Sequence, residues 1–222
     1  MQKFATPTPI TTVLNIPAGH IRFIATDRTD TTVEVLPADP AKSRDVKALG
    51  RIAVGYGEGV LRIEAPEAAN RTLGHFGSVE VTVQLPAGSR IEAKTAAAEF
   101  RGVGRFGDVS FEGGYRSVKL DEASGARLTA HHGDITVGRL GGPAEVTTQK
   151  GDIRITEAVR GAATLRTRHG DITVGAARGV SACLDAGTGY GRIRNSLANA
   201  GGTPALTIRA TTGHGDITAR SL

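Results

Sequence analysis

The chain has 222 residues and a net charge of +5, with 30 glycines, six phenylalanines, three tyrosines, no tryptophan and a single cysteine. Charge is evenly shared: residues 1–104 carry 12 basic and 11 acidic groups, and residues 105–222 carry 15 and 11. This diffuse balance lacks the basic footprint of a specific nucleic-acid binder, the few aromatics leave no platform for stacking bases, and no stretch reaches membrane-spanning length.

Glycine, at about twice its usual share, is interspersed with Val, Ile and Thr, a pattern of many short strands and tight turns. The opening segment, Met1–Pro9, lacks the apolar core of a signal peptide, so a cytoplasmic location is expected. Ile10–Ile16 reads as a strand ending at Pro17-Ala18-Gly19, and Ile21–Ala25 follows. Thr32–Leu36 alternates and stops at Pro37. Residues 40–49 form the one helix candidate, with Asp39 as an N-cap type, Pro40 at the first helical position and Gly50 beyond the end. Ile52–Val54 and Val60–Ala65 flank Gly55–Gly59 as a hairpin, Arg71–Gly77 is loop-like, and Val79–Leu85 runs into Pro86-Ala87-Gly88. Residues 1–88 therefore read as an antiparallel β region with one short helix.

Residues 89–222 read as a β-strand repeat packed as one continuous unit. The recurring unit is a strand, a turn ending in Gly-Asp, and a second strand opening with Ile or Val. Its clearest copies are Leu128–Val137, Val146–Ile155 and Leu165–Val174. The turn residues are Gly107-Asp108, Gly133-Asp134, Gly151-Asp152, Gly170-Asp171, Gly191 and Gly215-Asp216, with glycine spacings of 26, 18, 19, 21 and 24. In the best copies an aliphatic residue stands five before the glycine (Leu128, Val146, Leu165), but in the last two it stands seven before (Leu184, Ile208). That difference predicts turns lengthened by two residues at 186–191 and 210–215.

A unit of two strands cannot bury its apolar face alone and must stack on its neighbours. Alternation places Ile135, Val137, Ile153, Ile155, Ile172 and Val174 inside and Thr136, Arg154 and Thr173 outside. The expected fold is all-β: a β-solenoid-like stack of short strand–turn–strand repeats with an N-terminal antiparallel cap. A hexapeptide β-helix is excluded, because Gly141 and Thr147 stand where aliphatic residues would be required beyond Ile135.

Stacking turns equivalent residues into columns. Like-charged Asp residues on successive rungs, about 4.8 Å apart, repel by about 1 kcal/mol when solvated. Lys150, Arg154 and Arg168 are candidates to relieve them. The preferred reading is that each Asp hydrogen-bonds within its own turn. The competing reading is a metal site drawn from His132, Asp134, His169, Asp171, His214 and Asp216. Lys150 interrupts the His column, leaving His132 and His169 about 10 Å apart, too far to share one ion. No metal and no other cofactor is expected. Cys183 lies in an apolar strand and is expected to be a buried structural thiol.

The copies at Gly133–Val137 and Gly170–Val174, with Gly189–Leu197 and the closing His214–Leu222, resemble a bacterial β-strand-repeat family of unknown function labelled "putative adhesin". Ala18–Arg22 followed by Ala25–Asp30 is similar to the N-terminal region of its actinobacterial members. The resemblance implies an elongated β-repeat fold and carries no catalytic residues. Its adhesin label rests on architecture rather than on a site.

No nucleophile elbow, phosphate loop or zinc-protease helix is present. The expected function is a non-enzymatic interaction scaffold for a protein partner or for copies of itself. Arg154, Arg166, Arg168, Tyr190, Arg192 and Arg194 are its outward candidates. End-to-end growth is expected if the rung Gly215–Arg220 is left open. The alternatives are an envelope-associated adhesin or glycan-binding module and, less favoured, a β-helical carbohydrate-active enzyme.

Overall fold

The structure is a computed structural model that describes residues 1–65, 77–199 and 201–222. The loop expected over 71–77 falls, except for Gly77, outside the described residues. The N-terminal part contains β1 (Gln2–Ala5), β2 (Thr11–Thr26), β3 (Asp30–Pro37), helix α1 (Ser43–Leu49), β4 (Ala53–Gly57), β5 (Val60–Glu64) and β6 (Val79–Pro86). It is followed by β7 (Arg90–Gly113), β8 (Val118–His132), β9 (Ile135–Leu140), β10 (Ala144–Lys150), β11 (Ile153–Ala158), β12 (Gly161–His169) and β13 (Ile172–Ala176). The chain ends with β14 (Ala182–Tyr190), β15 (Ile193–Ser196), β16 (Leu206–His214) and β17 (Ile217–Ser221).

The molecule is a β-solenoid of two layers joined by parallel pairing. In one layer Asp108–Gly113 of β7 pairs with Gly125–Ala130 of β8, and the ladder continues through β10, β12, β16 and β14. In the other, the start of β8 pairs with β9, followed by β11, β13, β17 and β15. The inward residues are as the alternation requires: Ile135, Val137, Ile153, Ile155, Ile172 and Val174 are each at most 1% exposed. Burying one such aliphatic side chain contributes about 1.5–3 kcal/mol, so a thin core suffices when it recurs on every rung.

The order of the last rungs departs from the order of the chain. The C-terminal pair β16–β17 is inserted between β12–β13 and β14–β15. The expected open rung at Gly215–Arg220 is therefore interior, and β14–β15 forms the end of the stack. The two turns are not lengthened either. Leu165 pairs with Ala210, and Ala186 pairs with Ala210 in turn, so alanine simply occupies the position five before the glycine. Cys183, expected to be buried, is only half-buried because it stands on the outward face of β14, over exposed Thr207.

The N-terminal region is an antiparallel cap only in part. β3 pairs antiparallel with β1 and β6, and β4 with β5 across a tight turn at Glu58 (φ 51°) and Gly59 (φ 76°). β2, however, runs past Pro17 as one strand and pairs in parallel with β7 from Thr11–Arg90 to Ala25–Gly104. It is a rung of the solenoid, and a single apolar core runs across residue 88. The helix begins three residues later than expected. The Asp39 carboxylate accepts the Ala41 N–H (3.0 Å) and its carbonyl accepts that of Lys42 (3.1 Å), so a turn consumes Pro40 and Ala41. At the free end of the cap, Asp30 accepts from Arg28 and pairs with Lys3 of β1; these contacts hold its carboxyl down to about 2.

Candidate functional site

The corner between the two layers carries the repeat's polar residues, and three ladders run along it. The first is backbone-directed. Asp134 accepts the N–H of Asp152 (2.9 Å), Asp152 that of Asp171 (2.8 Å), Asp171 that of Asp216 (2.7 Å), and Asp216 that of Arg192 (2.9 Å). Each carboxylate therefore bonds the next rung and not its own turn, which corrects the sequence reading. The amide donors stabilise the stacked carboxylates in the role expected of Lys150, Arg154 and Arg168. None of the four Asp residues has an ion-pair partner among the described residues.

The second ladder is made of threonines standing three before Gly151, Gly170, Gly191 and Gly215, a feature not singled out from the sequence although its spacing is legible there. The hydroxyl of Thr167 donates to the Gly151 carbonyl (3.1 Å), that of Thr212 to Gly170 (3.0 Å) and that of Thr188 to Gly215 (3.0 Å). Thr148 occupies the same position against Gly133 at 3.4 Å. The glycines are required for two reasons. Gly170 has φ +150°, and a Cβ there would collide with the Gly151 carbonyl of the rung beneath.

The third ladder is the outermost. Register places His132, Lys150, His169, His214 and Tyr190 in one column, and Tyr115 joins it by stacking on His132. The rings of His169 and His214 stack at 4.9 Å and 5°, and Tyr190 stacks on the other face of His214 at 4.9 Å and 14°. Tyr115 and His132 stack at 5.0 Å and 15°. Imidazole lone pairs lie in the ring plane, so parallel stacked rings do not aim their nitrogens at a common point, as a shared metal ion needs. Among the described residues no group of three or more His, Cys, Asp or Glu side chains is arranged to hold a metal ion.

Gly107-Asp108 does not belong to this corner. Asp108 pairs with Gly125, whereas Arg116, one before Ser117, stands beneath Gly133. The spacing of 26 residues is a rung and a half, which carries the dipeptide to the opposite edge. The proposed arginine surface is also divided. Arg166 and Arg168 are exposed on β12, in one layer; Arg154 on β11 and Arg194 on β15 are exposed in the other; Tyr190 and Arg192 lie at the corner. These five arginines make no ion pair among the described residues, whereas Arg101, Arg139 and Arg209 are paired with Asp121, Glu157 and Asp185.

The family model Toastrack DUF4097 matches residues 13–221, the whole stack. The chain belongs to this family. No curated protein matches this Toastrack chain. Among solved structures, a "putative adhesin" from Parabacteroides distasonis is 16% identical, with a TM-score of 0.54 over 98% of this chain and 95% of that one. At that identity the likeness is one of fold. A "putative adhesin" from Bacteroides fragilis (16% identity, TM-score 0.44, 98% and 95% covered) and a "putative cell adhesion protein" from Clostridium sporogenes (12%, 0.42, 100% and 98%) also match. Among the described residues no helix is long and apolar enough to cross a membrane.

Proposed function

We propose that the chain is a non-enzymatic interaction module, cytoplasmic, whose recognition surface is the corner column with its flanking unpaired arginines. One observation carries this reading. The repeated Gly, Asp and Thr residues are consumed in building the corner, while the column Tyr115–Tyr190 and Arg168, Arg192 and Arg194 are left facing outward without ion-pair partners among the described residues. Unpaired guanidinium groups beside exposed rings favour an acidic protein surface, since arginine both forks onto carboxylates and stacks on aromatics.

The test is capture from cells with cytoplasmic and surface fractions kept apart, using the native chain and an Arg168→Glu, Arg192→Glu, Arg194→Glu variant. A cytoplasmic protein retained by the native chain and lost by the variant supports the reading. Equal capture by both removes the corner as the surface. The adhesin label of the structural neighbours and the exposed rings of Tyr115 (64%) and Tyr190 (74%) favour a second reading, binding of an acidic envelope glycan. Retention of the native protein in the surface fraction, with arginine-dependent binding to acidic polysaccharide, would establish it instead.

A further inference from the structure

The two ends of the stack are finished differently. At the N-terminal end the outer strands are β1 and β4, short and antiparallel, and β1 carries Lys3 bound to Asp30. Short strands and charges are the usual means of blunting a sheet edge. At the other end, β14 runs nine residues, although β15 beside it has four. The rung keeps the corner threonine Thr188, the turn glycine Gly191 and the core isoleucine Ile193, and neither strand contains proline or lysine. Ile193 is nevertheless 45% exposed, whereas its equivalents Ile217 and Ile172 are at most 1% exposed. Tyr190 has one ring face on His214 and is 74% exposed. The end rung has the chemistry of a buried layer and, among the described residues, no strand above it.

We propose that β14–β15 pairs with the same rung of a second copy, giving a closed two-fold dimer of rods joined end to end. This rests on the reading of the chain as an interaction scaffold and uses the free edge of the end rung, where Tyr190, Arg192 and Arg194 of the corner also lie. The occupant follows from the edge itself. Tyr190 directs its carbonyl to Gly215 and Arg192 directs its carbonyl to Ile217, so the odd-numbered residues of β14 and β15 turn their backbone groups outward. Gly187 and Asn195 each lie four residues from Gly191. A two-fold axis normal to both layers therefore passes through both positions, setting Gly187 against Gly187 and Asn195 against Asn195 in antiparallel pairs. The register is self-complementary. Within the strands Leu184 meets Tyr190, Asp185 meets Gly189 and Arg194 meets Ser196. No like charges are opposed, which matters because facing like charges weaken strand pairs. With one end open and the other blunted, association closes at two copies and yields no filament.

The experiment is analytical ultracentrifugation of the full chain over a range of concentrations, with hydrogen exchange of β14 and β15 read above and below the association midpoint. Two variants are compared. Gly187→Pro removes an outward N–H where no neighbouring atom lies near a new side chain, and Ile193→Lys places a charge at a half-exposed position. The expected result is a dimer whose β14–β15 amides gain protection on association and whose affinity falls about tenfold or more in either variant, with little change in melting temperature. A chain that stays monomeric at millimolar concentration overturns the proposal. So does growth beyond two copies, protection that does not change with association, or a dimer indifferent to both substitutions. Because Arg168 and its neighbours are untouched, loss of dimerisation leaves capture through the corner column intact, and the two readings fail separately.

Discussion

The solenoid is held in register by different means in its two halves. Up to residue 113 its rungs are wide and filled by phenylalanine: Phe23, Phe100, Phe106 and Phe111 are all buried, and Phe100 packs between Phe23 (5.6 Å) and Phe111 (5.1 Å). Beyond it no aromatic ring is buried among the described residues, and the core is Ile, Val, Leu and Ala. There the register comes from the corner, where Asp, Thr and Gly tie each rung to the next through backbone groups. Bulky interdigitating side chains specify a rung by shape, and one residue suffices for a large effect. Repeated small contacts specify it by number, so any one can be lost while the neighbours hold.

The largest test of that difference is Phe100→Ala. The residue is fully buried and in contact with two other rings, so the change should cost about 3–5 kcal/mol, read as a lower midpoint in urea unfolding. A loss under 1 kcal/mol would show that the wide rungs are not organised by their rings. Gly170→Ala addresses the other half. It introduces a Cβ against the Gly151 carbonyl at a backbone conformation that favours glycine, and should cost about 2–4 kcal/mol. Hydrogen exchange should then rise around Gly151 and Gly215, the rungs on either side, while the phenylalanine rungs stay protected.

The contrast also explains what was legible in the sequence. Alternation of Ile and Val around Thr and Arg fixes which residues face inward, because the strand period admits no other arrangement. The repeat of Gly-Asp-Ile marks the corner for the same reason. The order of the last two rungs was not legible, since every rung carries the same local pattern and any could stack on any other. The structure supplies the reason for its choice. Had Arg192 followed Asp171 in the stack, Asp216 would have had no carboxylate to receive its N–H; placing β16–β17 inside keeps the Asp ladder unbroken and sends the one rung without Asp to the end. The parallel role of β2 was hidden because Pro17-Ala18-Gly19 imitates a strand-ending turn, while Pro17 in fact sits within a continuous strand. The corner threonines were visible but unremarkable, since a lone Thr in a strand ordinarily reports only β-propensity.

The smallest effect is also the most discriminating, because it compares one dipeptide at two places. Asp152 and Asp108 each follow a glycine, and both are exposed. The Asp152 carboxylate accepts the Asp171 N–H of the next rung at 2.8 Å, whereas the Asp108 carboxylate makes no hydrogen bond or ion pair among the described residues. Removing a carboxylate that receives a backbone donor at a solvated corner costs about 1 kcal/mol, and removing an unengaged surface carboxylate changes stability by about 0.5 kcal/mol or less. Asp152→Ala should therefore lower the urea midpoint detectably and speed exchange of the Asp171 amide, while Asp108→Ala should do neither. Replacing Asp152 with Asn, which keeps a carbonyl oxygen at the same place, should restore most of the loss. If both alanine variants behave alike, Gly-Asp is a local turn signal wherever it occurs. If they differ, the dipeptide acts between rungs only where register sets one copy directly over the next, and its meaning belongs to the stack.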